Sequence, residues 1–170
     1  MNITPKVVIS QEMIDEANKL VDDVRVHRTQ ASDIDTLTGI LGEFAFAQYF
    51  YGDWKRNRVG ENRGEADFKD MEIKTSAYPY HENLNLLVRE DYAKKRKPPY
   101  YVQIIISIQE TNSDIVDGTP AFVCGYATSA EVDSALLKDF GSKYKDRKGG
   151  YRCHYISIAK LHPMSDLKVK

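Results

Sequence analysis

Apolar residues recur at helical spacing twice in the first third of the chain. Met13, Ile14, Ala17, Leu20, Val21 and Val24 fall three or four apart, which predicts an amphipathic helix over about 11–26. Ser10 stands before it as an N-cap, and Val7-Val8-Ile9 reads as extended. His27 falls at the helix end, where a cation is favourable. Ile34, Leu37, Leu41, Phe44, Ala45 and Tyr49 make a second stripe, capped by Ser32 or Asp33 and running to about Tyr51. Gly39 and Gly42 interrupt it. Glycine weakens a helix, so the expectation is a close backbone approach at that point. Beyond residue 80 the period becomes two. Leu84, Leu86 and Val88 alternate as a short strand. The near-continuous apolar run over 100–108 predicts a central strand covered on both faces. Strands are expected again over 121–127 and 155–158. Between them Ser129 caps a predicted helix over 129–140 with Val132, Leu136 and Leu137 on its apolar side. This order describes an α/β or α+β domain with a mixed sheet. The length suits one domain over 1–170: an N-terminal helix at 10–28, a core at 33–128 and a C-terminal helix and strand extension at 129–167.

The most informative stretch is Gly64 to Ser76. A polar break at Lys69-Asp70 reads as a hairpin turn. A symmetric hairpin centred there pairs Phe68 with Met71 and Asp67 with Glu72, and directly opposed residues share a face. Along the following strand Glu72 and Lys74 project together while Ile73 points into the core. Two opposed carboxylates repel unless a cation lies between them, and a hard cation such as Mg2+ takes carboxylate oxygens and water. Glu43, at the edge of the second stripe, is either a solvated charge or a carboxylate aimed at this patch. Gln103 is the polar exception in the central strand. It needs a partner, either a core hydrogen bond or an active-site water or phosphate.

Composition narrows the partners. A net charge of −1 gives no global sign of a polyanion ligand, so nucleic-acid binding would rest on local patches. Two are present: Lys55, Arg56, Arg58 and Arg63 before the hairpin, and Lys94, Lys95, Arg96 and Lys97 before the central strand. Each is either a solvated run or a contact for a phosphate backbone. The two cysteines suggest neither a disulfide framework nor a zinc site. No apolar run reaches membrane-spanning length and the N-terminus lacks a signal-peptide layout, so a cytoplasmic protein without a membrane partner is expected.

The helix pattern Gly39-x-x-Gly42-Glu43, then Asp67, then Glu72-Ile73-Lys74-Thr75-Ser76 resembles the PD-(D/E)XK nuclease superfamily, the restriction-endonuclease-like fold. The resemblance implies an αβββαβ core with a mixed central sheet flanked by helices. It maps the helix at 33–51, strands at 65–77, 84–88 and 100–108, and a helix at 129–140. It carries the motif aspartate to Asp67, the acidic residue to Glu72, the lysine to Lys74 and the helix glutamate to Glu43. Gln103 falls where some members place a glutamine. Ala66 stands in place of the motif proline. By this resemblance the chain is a Mg2+- or Mn2+-dependent nuclease acting on nucleic acid, most simply a DNA endonuclease or exonuclease. Asp67, Glu72, Glu43 and the Ile73 carbonyl would hold metal, and a homodimer would serve cleavage of two strands. The alternative is a catalytically inactive nucleic-acid-binding or structural protein on the same fold.

Overall fold

A computed structural model describes residues 4–25, 33–56, 68, 70–90, 93, 98–139 and 152–167. Helix α1 (Gln11–Arg25) starts where two side chains receive its first N–H groups. Asp117 Oδ1 accepts from Gln11 N at 3.0 Å, and Ser10 Oγ accepts from Met13 N at 3.2 Å. Helix α2 (Asp33–Tyr51) is different in kind. Ile40, Leu41, Phe44, Ala45, Phe46 and Ala47 are all buried, so its apolar surface extends well beyond one stripe. Such a helix needs cover on more than one side. It finds α1 on one side and a sheet on the other.

That sheet has the order β1 (Lys6–Val8), β5 (Pro120–Thr128), β4 (Tyr100–Ile106), β2 (Met71–Ala77). The β1–β5 and β5–β4 pairs are antiparallel and β4–β2 is parallel, which makes it a mixed sheet. Strand β4 has partners on both sides and is buried along nearly its whole length, as its apolar run predicts.

A parallel pair needs a crossover connection, and here residues 78–99 supply it. Their strand β3 (Asn85–Arg89) does not enter the sheet. It pairs antiparallel with β7 (Arg152–Ser157), which pairs with β6 (Leu137–Asp139), forming a second sheet. The three strands mapped as one run of the core are therefore divided between two sheets. The alternation explains why. Leu86 and Val88 are buried while Leu87 is exposed, so β3 has one apolar face to cover. It covers it in a cluster with Tyr101, Ala127, Val132, Ile158 and Leu161. The helices and the inward residues Met71, Ile73, Val102, Ile104 and Ile106 form the other cluster. The mixed sheet thus separates two apolar layers.

The helix expected over 129–140 is shorter. Helix α3 (Ser129–Ser134) is capped by Thr128, whose hydroxyl and main chain form a capping box with Glu131. Of its three expected apolar contacts only Val132 is buried; Leu136 is 70% exposed. The main chain after α3 is taken by strand pairing instead: Tyr155 N donates to Leu136 O, and Leu137 opposes His154. After β7 the chain returns across β5, where Tyr126 and His162 exchange main-chain bonds at 2.9 Å. The His162 ring meets the Glu131 carboxylate at 2.8 Å. Burial opposes ionisation of Glu131, but bonds from Thr128 and His162 outweigh it and hold its pKa below the ordinary value.

The two helix glycines have different roles. A Cβ at Gly42 would lie 1.8 Å from Thr75 Oγ1, so α2 does approach β2 closely there. A Cβ at Gly39 would meet nothing within 4 Å. Gly39 is not required by packing. Gly39→Ala is expected to stabilise the protein by about 0.5–1 kcal/mol, since alanine loses less freedom in a helix. In thermal unfolding that is a rise of roughly 2–4 °C in Tm; a fall would show a steric demand at this position.

Candidate active site on the face of the mixed sheet opposite the helices

The hairpin centre forms as the sequence predicts. Phe68 N donates to Met71 O at 2.9 Å and Met71 N donates back to Phe68 O, an antiparallel bridge closed by a tight turn. Asp67 lies outside the described residues, as do Arg58, Arg63 and the run Lys94, Lys95, Arg96 and Lys97.

Strand β2 then fixes which groups stand together. Its register against β4 sets Glu72 beside Tyr101 and Lys74 beside Gln103. Register partners in adjacent strands share a face, so these four side chains project to one side. Ile73 and Thr75 project to the other, beneath α2. Glu72 is 9% exposed, a carboxylate held almost out of water, and Lys74 is half-buried. Removing a carboxylate from water is unfavourable unless a cation or hydrogen-bond donors compensate.

Tyr101 and Asp133 belong to this environment and were not legible as such in the sequence. Burial, with the negative charges of Glu72 and then Asp133, pushes the Tyr101 phenol up to about 12. The phenol therefore remains protonated, a hydrogen-bond donor among carboxylates, across the physiological range. The alternation within β4 could have flagged Tyr101, two residues before Gln103. Its neighbour in β2 follows only from the register of a parallel pair.

Gln103 is a core glutamine. It is 1% exposed, and its Nε2 donates to Ile104 O at 2.9 Å. The ladder between β4 and β5 slips at Gln103/Ile104. A bulge disrupts ladder bonding, and the amide supplies a donor to a carbonyl at that point.

Glu43 is half-buried on α2, next to Gly42. Helix α2 covers the face of β2 opposite to Glu72 and Lys74. Helix α2 packs along β2, the strand at the sheet edge that carries Glu72 and Lys74, and so brings Glu43 alongside that strand. Lys55 and Arg56 belong to a 3-10 turn (Trp54–Arg56) just beyond α2. Lys55 is exposed, with its Nζ 5.6 Å from the centre of the Trp54 ring.

Other reactive side chains have structural surroundings. His154 Nδ1 lies 3.1 Å from Ala135 O. Burial pushes the Cys124 thiol up to about 12, against the opposing effect of an Ile105 main-chain bond, so it is not a thiolate nucleophile at neutral pH. Among the described residues no group of three or more His, Cys, Asp or Glu could hold a metal ion. The donors on the β2 face suit a hard cation in kind, a buried carboxylate with main-chain carbonyls, and a further carboxylate would be needed to complete the set.

No family model, curated protein or solved structure matches the chain. Among the described residues no helix is long and apolar enough to cross a membrane.

Proposed function

We propose that this chain is a metal-dependent nuclease with a restriction-endonuclease-like core, hydrolysing phosphodiester bonds of nucleic acid, most simply DNA. The observation that carries the reading is the placement of Glu72 and Lys74. A buried carboxylate and a lysine, alternate residues of one strand, share a face immediately after a tight hairpin. The proposal requires the Phe68–Met71 register to extend by one residue, so that Asp67 opposes Glu72.

In this reading Asp67, Glu72 and the Ile73 carbonyl would hold Mg2+ or Mn2+, with Glu43 as the further carboxylate. The bound ion supplies polarisation of a phosphoryl oxygen and a lower pKa for water. Lys74 donates hydrogen bonds to the attacking water or to the equatorial phosphoryl oxygens, where negative charge accumulates. Tyr101 keeps a neutral donor beside Glu72. Gln103 gives one amide N–H to Ile104 O and keeps a second N–H and its side-chain oxygen for an active-site water or phosphate.

The test is incubation of supercoiled, linear and branched DNA with Mg2+, Mn2+ or EDTA. Cleavage with either metal, lost in EDTA, is the expected result. A second reading keeps the fold and the polymer without the chemistry. Binding of these DNAs with no cleavage under any metal condition would select it.

A further inference from the structure

The opposite end of α2 carries a feature the catalytic reading does not use. Between β1 and the last turns of α2 lies an open groove of about 540 Å³. Lys6, Val8, Gln48, Tyr49 and Trp54 line it. Tyr49 is 36% exposed, and the Trp54 ring packs against Phe44 at 4.9 Å between centroids. The Lys55 ammonium stands over that ring, and Lys6 is exposed at the groove wall. The Asp53 carboxylate near Lys55 is occupied in holding the turn, accepting the Lys55 main-chain N–H at 3.0 Å.

We propose that this groove binds a single-stranded nucleic-acid segment, with a base stacked on Tyr49 beside the Trp54 wall and phosphates against Lys6 and Lys55. The inference deepens the proposed function and rests on it for the identity of the polymer. Aromatic rings alternating with cations are the chemistry of single-strand sites, because every unpaired base offers a flat face and every linkage an anion. A duplex keeps its base faces stacked and cannot use the rings. The volume suits a ligand of nucleotide size. Strand β1 has only three residues, too short an edge to hold an added peptide strand firmly. Helix α2 links the groove to the candidate site, since Glu43 and Gly42 lie on the same helix about two turns before Tyr49.

Trp54 is the only tryptophan, so its fluorescence reports on this groove alone. The experiment titrates the whole protein in EDTA with oligodeoxythymidylate, with a duplex of equal length and with inorganic phosphate. Saturable quenching by the single strand, much weaker with the duplex and absent with phosphate, is expected. With a labelled oligonucleotide, Tyr49→Ala should weaken binding about tenfold. Lys6→Gln combined with Lys55→Gln should reduce the salt slope by about 1.4, the value for two phosphate contacts on a single strand. No quenching, equal response to duplex, or unchanged affinity in both variants overturns the proposal. So does a concentration-dependent dimer abolished by Val8→Lys, which would make a second copy the occupant. Because metal is absent, the two proposals fail separately. Quenching without cleavage in Mg2+ removes the nuclease reading and leaves the groove. Cleavage without quenching does the reverse.

Discussion

Lys74→Ala is expected to lower metal-dependent cleavage by a factor of about 10²–10³ or more, the usual cost of removing one donor aimed at developing charge. Lys74 projects beside Gln103 from a strand whose main chain is held by β4, so truncating it leaves the ladder intact. It is half-buried, and its loss should change the unfolding midpoint little. Affinity for uncut DNA in EDTA should also persist. The comparison of cleavage rate, thermal midpoint and binding therefore separates chemistry from folding. Full activity in this variant would end the mechanism, whichever nucleic acid is cut. Glu72→Gln should match it in cleavage, because the neutral amide keeps the shape while losing the charge that attracts a cation. An effect of Lys74→Ala confined to stability would mean that Glu72 and Lys74 form only a structural pair.

Gly42→Ala should be the most damaging small substitution in the helix layer. The added Cβ would fall 1.8 Å from Thr75 Oγ1 and 2.6 Å from both Thr75 Cβ and Cγ2. No Thr75 rotamer removes its Cβ, so α2 must lift from β2 or the strand must bend. Overpacking of this kind costs about 3 kcal/mol, which corresponds to a fall of roughly 6–12 °C in Tm for a chain of this size. Thr75 Oγ1 is buried with no hydrogen-bond partner among the described residues. The glycine Cα–H directed at it gives a weak C–H···O contact in place of one. Combining Gly42→Ala with Thr75→Ala should recover part of the loss, since two of the three clashing atoms disappear. A double-mutant cycle without coupling would show that the helix absorbs the methyl group elsewhere. The displaced helix also carries Glu43, so cleavage should fall more than stability alone explains.

Much of the fold could be read because its signals are local. The 3.6 spacing through Met13, Ala17 and Val21 set α1, and Ser10 set its start. The apolar run through Ile104, Ile105 and Ile106 marked the strand that ended up between two partners. The break at Lys69-Asp70 was enough to centre the hairpin on Phe68 and Met71, because a tight turn fixes the register of the residues beside it. Alternation alone put Glu72 and Lys74 on one face. A glycine in α2 signalled a close approach, but Gly39 and Gly42 carry the same signal and only one of them touches the sheet.

The misreadings share a cause. Leu136 and Leu137 matched a helical stripe, yet the chain there pairs with β7, whose distance in sequence hides it. The alternation of Leu86, Leu87 and Val88 identified a half-buried strand without saying which sheet it joins. Gln103 needed a partner, and only the slip between β4 and β5 revealed that the Ile104 carbonyl accepts one of its amide N–H groups.

Periodicity and turn chemistry, then, were sufficient for the elements, for the hairpin register and for the shared face of Glu72 and Lys74. Those properties depend on the backbone geometry of residues close in the chain. The parallel pairing that brings Tyr101 to Glu72 and the removal of β3 to a second sheet were decided only in three dimensions. They depend on which apolar surfaces cover one another, and burial is a property of the assembled layers, with no counterpart in any single stretch of sequence.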